Sequence, residues 1–259
     1  MVADKNNLMD DILNYTIPEN QIGIWWLGQS GFIIKTPNGK ITVIDAYLSN
    51  SAVNIRLDLD RLTPIPIQPE ELICDYYICT HNHIDHFDPE TIERLKNKDS
   101  ITFIGPRNVV KAFQQLKDPI NNAVLLEAGE TIQFRDISLT GTFCIPNKDA
   151  VLDSIGVIFQ HRGKTIYHSG DTGYHPFLEY IEKFNIDLSM MCINGKLGNM
   201  NYSEAYLLCK AIKPKIVIPC HFDMFVNNFE NPNLFCQLIE YKKTGITCLI
   251  PEIGIPIID

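Results

Sequence analysis

The stretch Thr80-His81-Asn82-His83-Ile84-Asp85-His86-Phe87-Asp88 sets three of the chain's seven histidines and an aspartate within six residues. It follows the apolar run Tyr76-Tyr77-Ile78-Cys79, which reads as a buried strand running into a loop. A strand tip aims its last side chains into whatever cavity the next loop frames, and imidazole with carboxylate is the usual ligand set for a zinc-like divalent ion. Packed without an ion, these groups would carry a repulsion and desolvation cost that chance placement does not explain. The loop therefore reads as metal-binding.

Upstream, residues 21–46 hold apolar runs on both sides of Pro37-Asn38-Gly39, which reads as strands joined by a tight turn. Gly28 and Gly31 in W-L-G-Q-S-G-F either let the backbone approach the histidine loop or serve a bend. The strand ends at Asp45, and a long polar loop to about Pro69 could frame a pocket mouth. Downstream, Asp88-Pro89 has the capping aspartate and first-turn proline of a helix start. Residues 101–105 read as a strand, 107–116 as a helix and 123–127 as a strand, a rhythm that implies parallel pairing.

Three or four strands are expected between residues 131 and 160. The segment R-G-K-T-I-Y-H-S-G-D-T then echoes N-G-K-I-T-V-I-D at a separation of 124 residues, as two similar halves packed face to face would. Asp171 ends this segment, either as a ligand or as a cap for a helix over 175–184. A strand over 188–193 leads into N-G-K-L-G-N-M-N and a helix over 203–212. K-I-V-I-P-C-H-F-D is again a strand followed by a histidine, His221, which could bind a metal or simply cap a carbonyl.

At 259 residues with no linker-like tract, the chain reads as one domain over 1–259. A formal charge of −9 disfavours a surface that neutralises many phosphates, so nucleic acid is not an expected partner, whereas a small anionic molecule needs only a local basic pocket. The acidic N-terminus is unlike a secretory signal and no run has the length of a membrane span, so a cytoplasmic protein is expected. Eight cysteines form no C-x-x-C pair, and Cys79, Cys192, Cys209 and Cys248 sit in apolar runs, so reduced, buried thiols are expected.

The H-x-H-x-D-H pattern resembles the signature of the metallo-β-lactamase superfamily. The pieces W-W-L-G-Q-S-G-F, F-I-G-P, Y-H-S-G-D-T, I-N-G-K-L-G-N-M-N and V-I-P-C-H-F-D-M-F-V-N-N-F are most similar to its L-ascorbate-6-phosphate lactonase-like members. The resemblance implies an α/β fold, the αββα sandwich, and a metal-dependent hydrolase. It implies one metal position on His81 and His83, a second on Asp85 and His86, Asp171 bridging them and His221 as the last ligand.

Many members carry a further histidine between the first motif and the bridging aspartate; this chain has none from Phe87 to Gln160. Asn147 lies nearest that place, with Cys144 and Asp149 beside it. An amide binds a zinc-like ion far more weakly than imidazole, so one or two ions, manganese or zinc, are expected. The implied chemistry is attack of ion-activated water on a lactone, for instance a sugar-lactone phosphate, with Asp85 and Asp171 catalytic. Lys196, Asn194, Asn199, Asn201 and Tyr174 are candidate substrate contacts, and Asp223 sits beside a ligand. A phosphodiesterase and a metal-binding module without turnover are the alternatives, and a homo-oligomer is expected from the assembled relatives.

Overall fold

The computed structural model describes residues 7–146 and 152–259. Two seven-stranded sheets face each other. The first contains β1 (Gly23–Gly28), β2 (Gly31–Lys35), β3 (Ile41–Ile44), β4 (Tyr76–Ile78), β5 (Thr102–Gly105) and β6 (Val124–Leu125). The second contains β7 (Thr131–Gln133), β8 (Ser138–Phe143), β9 (Ile155–His161), β10 (Lys164–His168), β11 (Leu188–Cys192), β12 (Ile216–Cys220) and β13 (Thr247–Cys248). The last strand, β14 (Ile257–Ile258), returns to the first sheet beside β1.

The strand orders are β14-β1-β2-β3-β4-β5-β6 and β13-β12-β11-β10-β9-β8-β7. Each sheet is antiparallel up to its β2–β3 or β9–β10 hairpin and parallel beyond it. The echo between Gly39 and Gly163 is thus the two equivalent hairpin turns, with both glycines in the left-handed region at φ 82° and 83°.

Every residue of β1, β2 and β3 is buried, because the first sheet is covered on both faces. Ile24, Trp26, Phe32, Ile34 and Ile44 point into the core shared with the second sheet. Trp25, Leu27, Ile33 and Val43 point the other way, onto α1 (Leu8–Asn14), α2 (Pro89–Arg94) and α3 (Arg107–Gln114). On the outer face of the second sheet α4 (Tyr202–Ile212) and α5 (Pro232–Tyr241) bury Leu208, Ile212, Phe235 and Ile239. The layers are those of an αββα sandwich, as expected.

Two expectations change. The segment expected as a helix over 175–184 is a 3-10 helix, Pro176–Phe184. Cys248 is no free thiol: it is bonded to Cys236, with the Cα atoms 5.2 Å apart. The pairing has no sequence motif because it exists only once α5 runs back along β13. The other six cysteines are free, and all but Cys144 are buried. Among the described residues no helix is long and apolar enough to cross a membrane.

Candidate metal centre

The tips of β1, β3, β4 and β12 meet at one end of the sandwich. Three of the residues that turn the chain there have positive φ without being glycine: Gln29 (51°), Asp45 (47°) and His221 (60°). This conformation costs roughly 1–2 kcal/mol per residue and persists where the surroundings hold it. Here it swings side chains off the strand axis and towards each other. Gly31 is forced by proximity instead, since a Cβ there would lie 3.1 Å from the Gly28 carbonyl and 3.2 Å from that of Asp45.

The histidine loop is organised from beneath by Asp45, which is wholly buried. Its Oδ1 accepts from the Thr80 amide at 2.7 Å and its Oδ2 from the Thr80 hydroxyl at 2.6 Å. The same carboxylate receives His86 Nδ1–H at 2.7 Å, leaving Nε2 as the outward-facing nitrogen. Thr80 has one hydroxyl hydrogen, already given to Asp45, so its oxygen accepts from His81 Nδ1 at 3.1 Å. The His81 lone pair is then on Nε2, facing His83 Nδ1 at 2.9 Å. Burial, with the charge of His86 adding to it, pushes His81 down to about 3, so this ring is neutral and able to ligate.

Two donor groups could hold an ion: His81, His83 and Asp171, and Asp85, His86 and His221. Asp171 lies against both, its Oδ1 3.4 Å from His86 Nε2 and 3.2 Å from His221 Nε2. His86 Nε2 and His221 Nε2 are 3.2 Å apart, and Asp85 Oδ2 is 3.4 Å from the latter and 3.7 Å from the former. Four donors around a cation at about 2.1 Å in a tetrahedron would be about 3.4 Å apart. The spacing therefore fits a divalent ion. A second observation agrees: apart from the two imidazoles beside it, the buried Asp171 Oδ1 has no hydrogen-bond partner, which leaves it open to a cation held with those rings.

The field in the centre is strongly coupled. Although burial opposes the charge, the carboxylates of Asp171, Asp85 and Asp45 push His86 up to about 10. Against the same desolvation, the cationic rings of His221 and His86 hold Asp171 down at about 2, and Asp85 falls well below the carboxylate range.

Around these groups stand amides that hold them. Gln29 Nε2 donates to Asp85 Oδ2 at 2.7 Å and lies 3.3 Å from His221 Nε2, while the Gln29 carbonyl accepts from the His221 amide at 2.9 Å. Asn228 Nδ2 lies 3.0 Å from His221 Nδ1, and Asn194 Nδ2 donates to Asn228 Oδ1 at 2.5 Å. Asn199 Nδ2 donates to Asp171 Oδ2 at 2.7 Å. Such contacts fix ring and carboxylate orientation.

Of the expected substrate contacts, Lys196, Asn194 and Asn199 line the cavity above the centre, the last two with their NH2 groups committed to Asn228 and Asp171. Asn201 and Tyr174 do not line it. The Asn201 side chain accepts from the amides of Ser203 and Glu204 and caps α4, and the Tyr174 hydroxyl donates to Glu179 at 3.1 Å. Asn147 and Asp149 lie outside the described residues. The Cys144 thiol is directed at the Ser169 carbonyl, 3.4 Å away, and burial pushes it well above the thiol range, so it is no thiolate ligand. Asp223 accepts from the Gln29 amide at 3.1 Å and so holds the turn that carries Gln29. Gln29 and Asp45 were absent from the expected site. The quoted W-L-G-Q-S-G-F and the strand-end Asp45 are their only signals.

A family description, "Beta-lactamase superfamily domain", matches residues 23–221. A Staphylococcus saprophyticus protein named UPF0173 metal-dependent hydrolase is 30% identical, over 85% of this chain and 93% of its own. The chain belongs to the beta-lactamase superfamily. An Escherichia fergusonii protein named "Probable L-ascorbate-6-phosphate lactonase" is 22% identical, over 89% of this chain and 79% of its own length. The solved structure of a metallo hydrolase from Ignicoccus hospitalis has a similar fold, with TM-score 0.76, 21% identity and coverage of 93% and 99% of the two chains.

Proposed function

We propose that this chain is a metal-dependent hydrolase that opens a small lactone, working in the cytoplasm. The observation that carries the reading is the meeting of the two donor groups at the floor of a cavity of about 680 Å³. Cavities of roughly 300–1,000 Å³ suit small organic ligands. Manganese or zinc, as one or two ions, would be held by Asp85, His86 and His221 on one side and His81 and His83 on the other, with Asp171 between. When bound, such an ion lowers the pKa of water to about 7 and polarises a carbonyl oxygen.

The remaining steps belong to the chain. Asp85, steadied by Gln29, orients the water and takes its proton. The water oxygen bonds to the carbonyl carbon, the ring C–O bond breaks, and Asp85 hands the proton to the departing alkoxide. The product is a hydroxy acid. Asp171, held by Asn199, keeps its carboxylate between the two donor groups. Lys196, on the exposed loop at the mouth, supplies the cation that an anionic substituent such as a phosphate would meet.

The test loads purified protein with manganese or zinc, measures metal content, and assays a simple lactone beside a bis-aryl phosphodiester. Ring opening that a chelator abolishes and added metal restores is the expected result. Cleavage of the diester alone would replace the lactone reading with a phosphodiesterase. Silence on both with metal bound would leave a binding module.

A further inference from the structure

The cavity has two chemically different parts. Its floor is polar, made by His83, Asp85, Asp171 and His221. Its lining also holds an apolar set, Ile55, Leu59, Ile84, Phe87, Leu197 and Phe225, beside Arg56, Lys196 and several asparagines. Leu59 and Ile84 pack on the small cluster of Tyr47, Ala52, Met224 and Phe225, so this wall is a firm surface. Ile55 and Leu197 line the cavity with 63% and 61% of their surface exposed.

Leu197 stands out further, because its backbone is left-handed at φ 54°, between Gly195 at 63° and Gly198 at 105°. Asparagine or glycine takes that conformation at little cost, whereas a branched side chain does not. The chain therefore spends both backbone strain and exposed apolar surface to put a leucine at the cavity mouth. A lactone ring alone would touch the floor and leave these walls in water. A hydroxyl-rich sugar would reach them but lose hydrogen bonds there without replacement.

We infer that the lactone carries an apolar arm, an alkyl or aryl substituent, which lies against Ile55, Leu59, Ile84, Leu197 and Phe225 while the ring carbonyl sits over the metal floor. This rests on the lactone reading and adds the substituent. Each methylene the wall buries is worth about fourfold in binding, from the usual transfer energy of a CH2 group.

The experiment uses metal-loaded protein and γ-lactones whose unbranched arms run from about two to about ten carbons. A kcat/KM that climbs about fourfold per methylene, then levels where the wall ends, supports the arm. Ile55→Ser and Leu197→Asn should flatten that climb. Leu197→Asn should also raise the melting temperature by relieving the left-handed strain, which separates loss of the wall from loss of fold. A flat series, or a phosphorylated sugar lactone outrunning every alkyl lactone, overturns the arm and leaves the lactone reading intact. Should no lactone be opened, calorimetry with the matching γ-lactams decides. A Kd that tightens with arm length keeps the apolar wall as a ligand site while the lactone reading falls, and a flat Kd removes both.

Discussion

His86 and Asp45 meet at 2.7 Å with both side chains fully shielded from solvent. The carboxylate fixes the ring's tautomer and aims Nε2 at Asp171 and His221. Asp45→Asn should keep the shape and weaken metal binding about 10- to 100-fold, as loss of an orienting partner does. Asp45→Ala should in addition destabilise the protein by about 3–5 kcal/mol, because a buried charge loses its partner. Chelator competition reads the first effect and urea unfolding the second.

The metal-free protein should take up metal by exchange for protons. With His86 pushed up to about 10, its imidazole is protonated at neutral pH, and an ion must displace that proton. Apparent metal affinity should therefore rise with pH up to about 10, and calorimetry in buffers of different ionisation enthalpy should show proton release. The same raised pKa stabilises the metal-free fold fully below about 6.5, the unfolded value, and that contribution should fade as pH climbs through about 10. Metal-free protein that held its stability from pH 6 to pH 10 would refute this.

Gln29 touches Asp85 and His221 at once, and glutamate matches its size and its backbone needs. Gln29→Glu would set a second carboxylate beside Asp85. The metal-free variant should lose about 1–2 kcal/mol to like-charge repulsion and a lost hydrogen bond. Bound metal should return most of it, so the gap in melting temperature between metal-free and metal-loaded protein should widen. An unchanged gap would show that Gln29 does not face the ion.

The Cys236–Cys248 bond closes a loop at a sequence separation of 12. Loop closure of that size is worth about 3 kcal/mol. Cys236→Ser, or reduction of the native chain, should lower stability by about that amount in urea; Cys236→Ser should then be insensitive to reductant, while Cys209→Ser, which removes a free thiol and keeps the bond, should still respond to it.

The metal motif was legible because His81, His83, Asp85 and His86 are neighbours in sequence, so no knowledge of the fold is needed to group them. Asp171 and His221 could be joined to them only through resemblance, since their meeting depends on the second sheet facing the first. Gln29 and Asp45 stayed hidden for a different reason. Their side chains reach the site through left-handed turns at strand ends, where side-chain direction follows φ and not the alternation of a strand. Asn201 sits in the right loop, but its side chain closes a helix start instead. The apolar wall was equally invisible, because Ile55 and Leu59 come from short 3-10 turns that carry no periodicity.

The matching topology of the two sheets leads to a property of the chain as a whole. His81, His83, Asp85 and His86 come from the segment that builds one sheet, Asp171 and His221 from the segment that builds the other. Each donor group takes two residues from the first half and one from the second, so a captured cation would work as a rivet through the seam. Prising the sheets apart would expel it, and its presence makes separation of the layers and loss of the catalytic apparatus a single event.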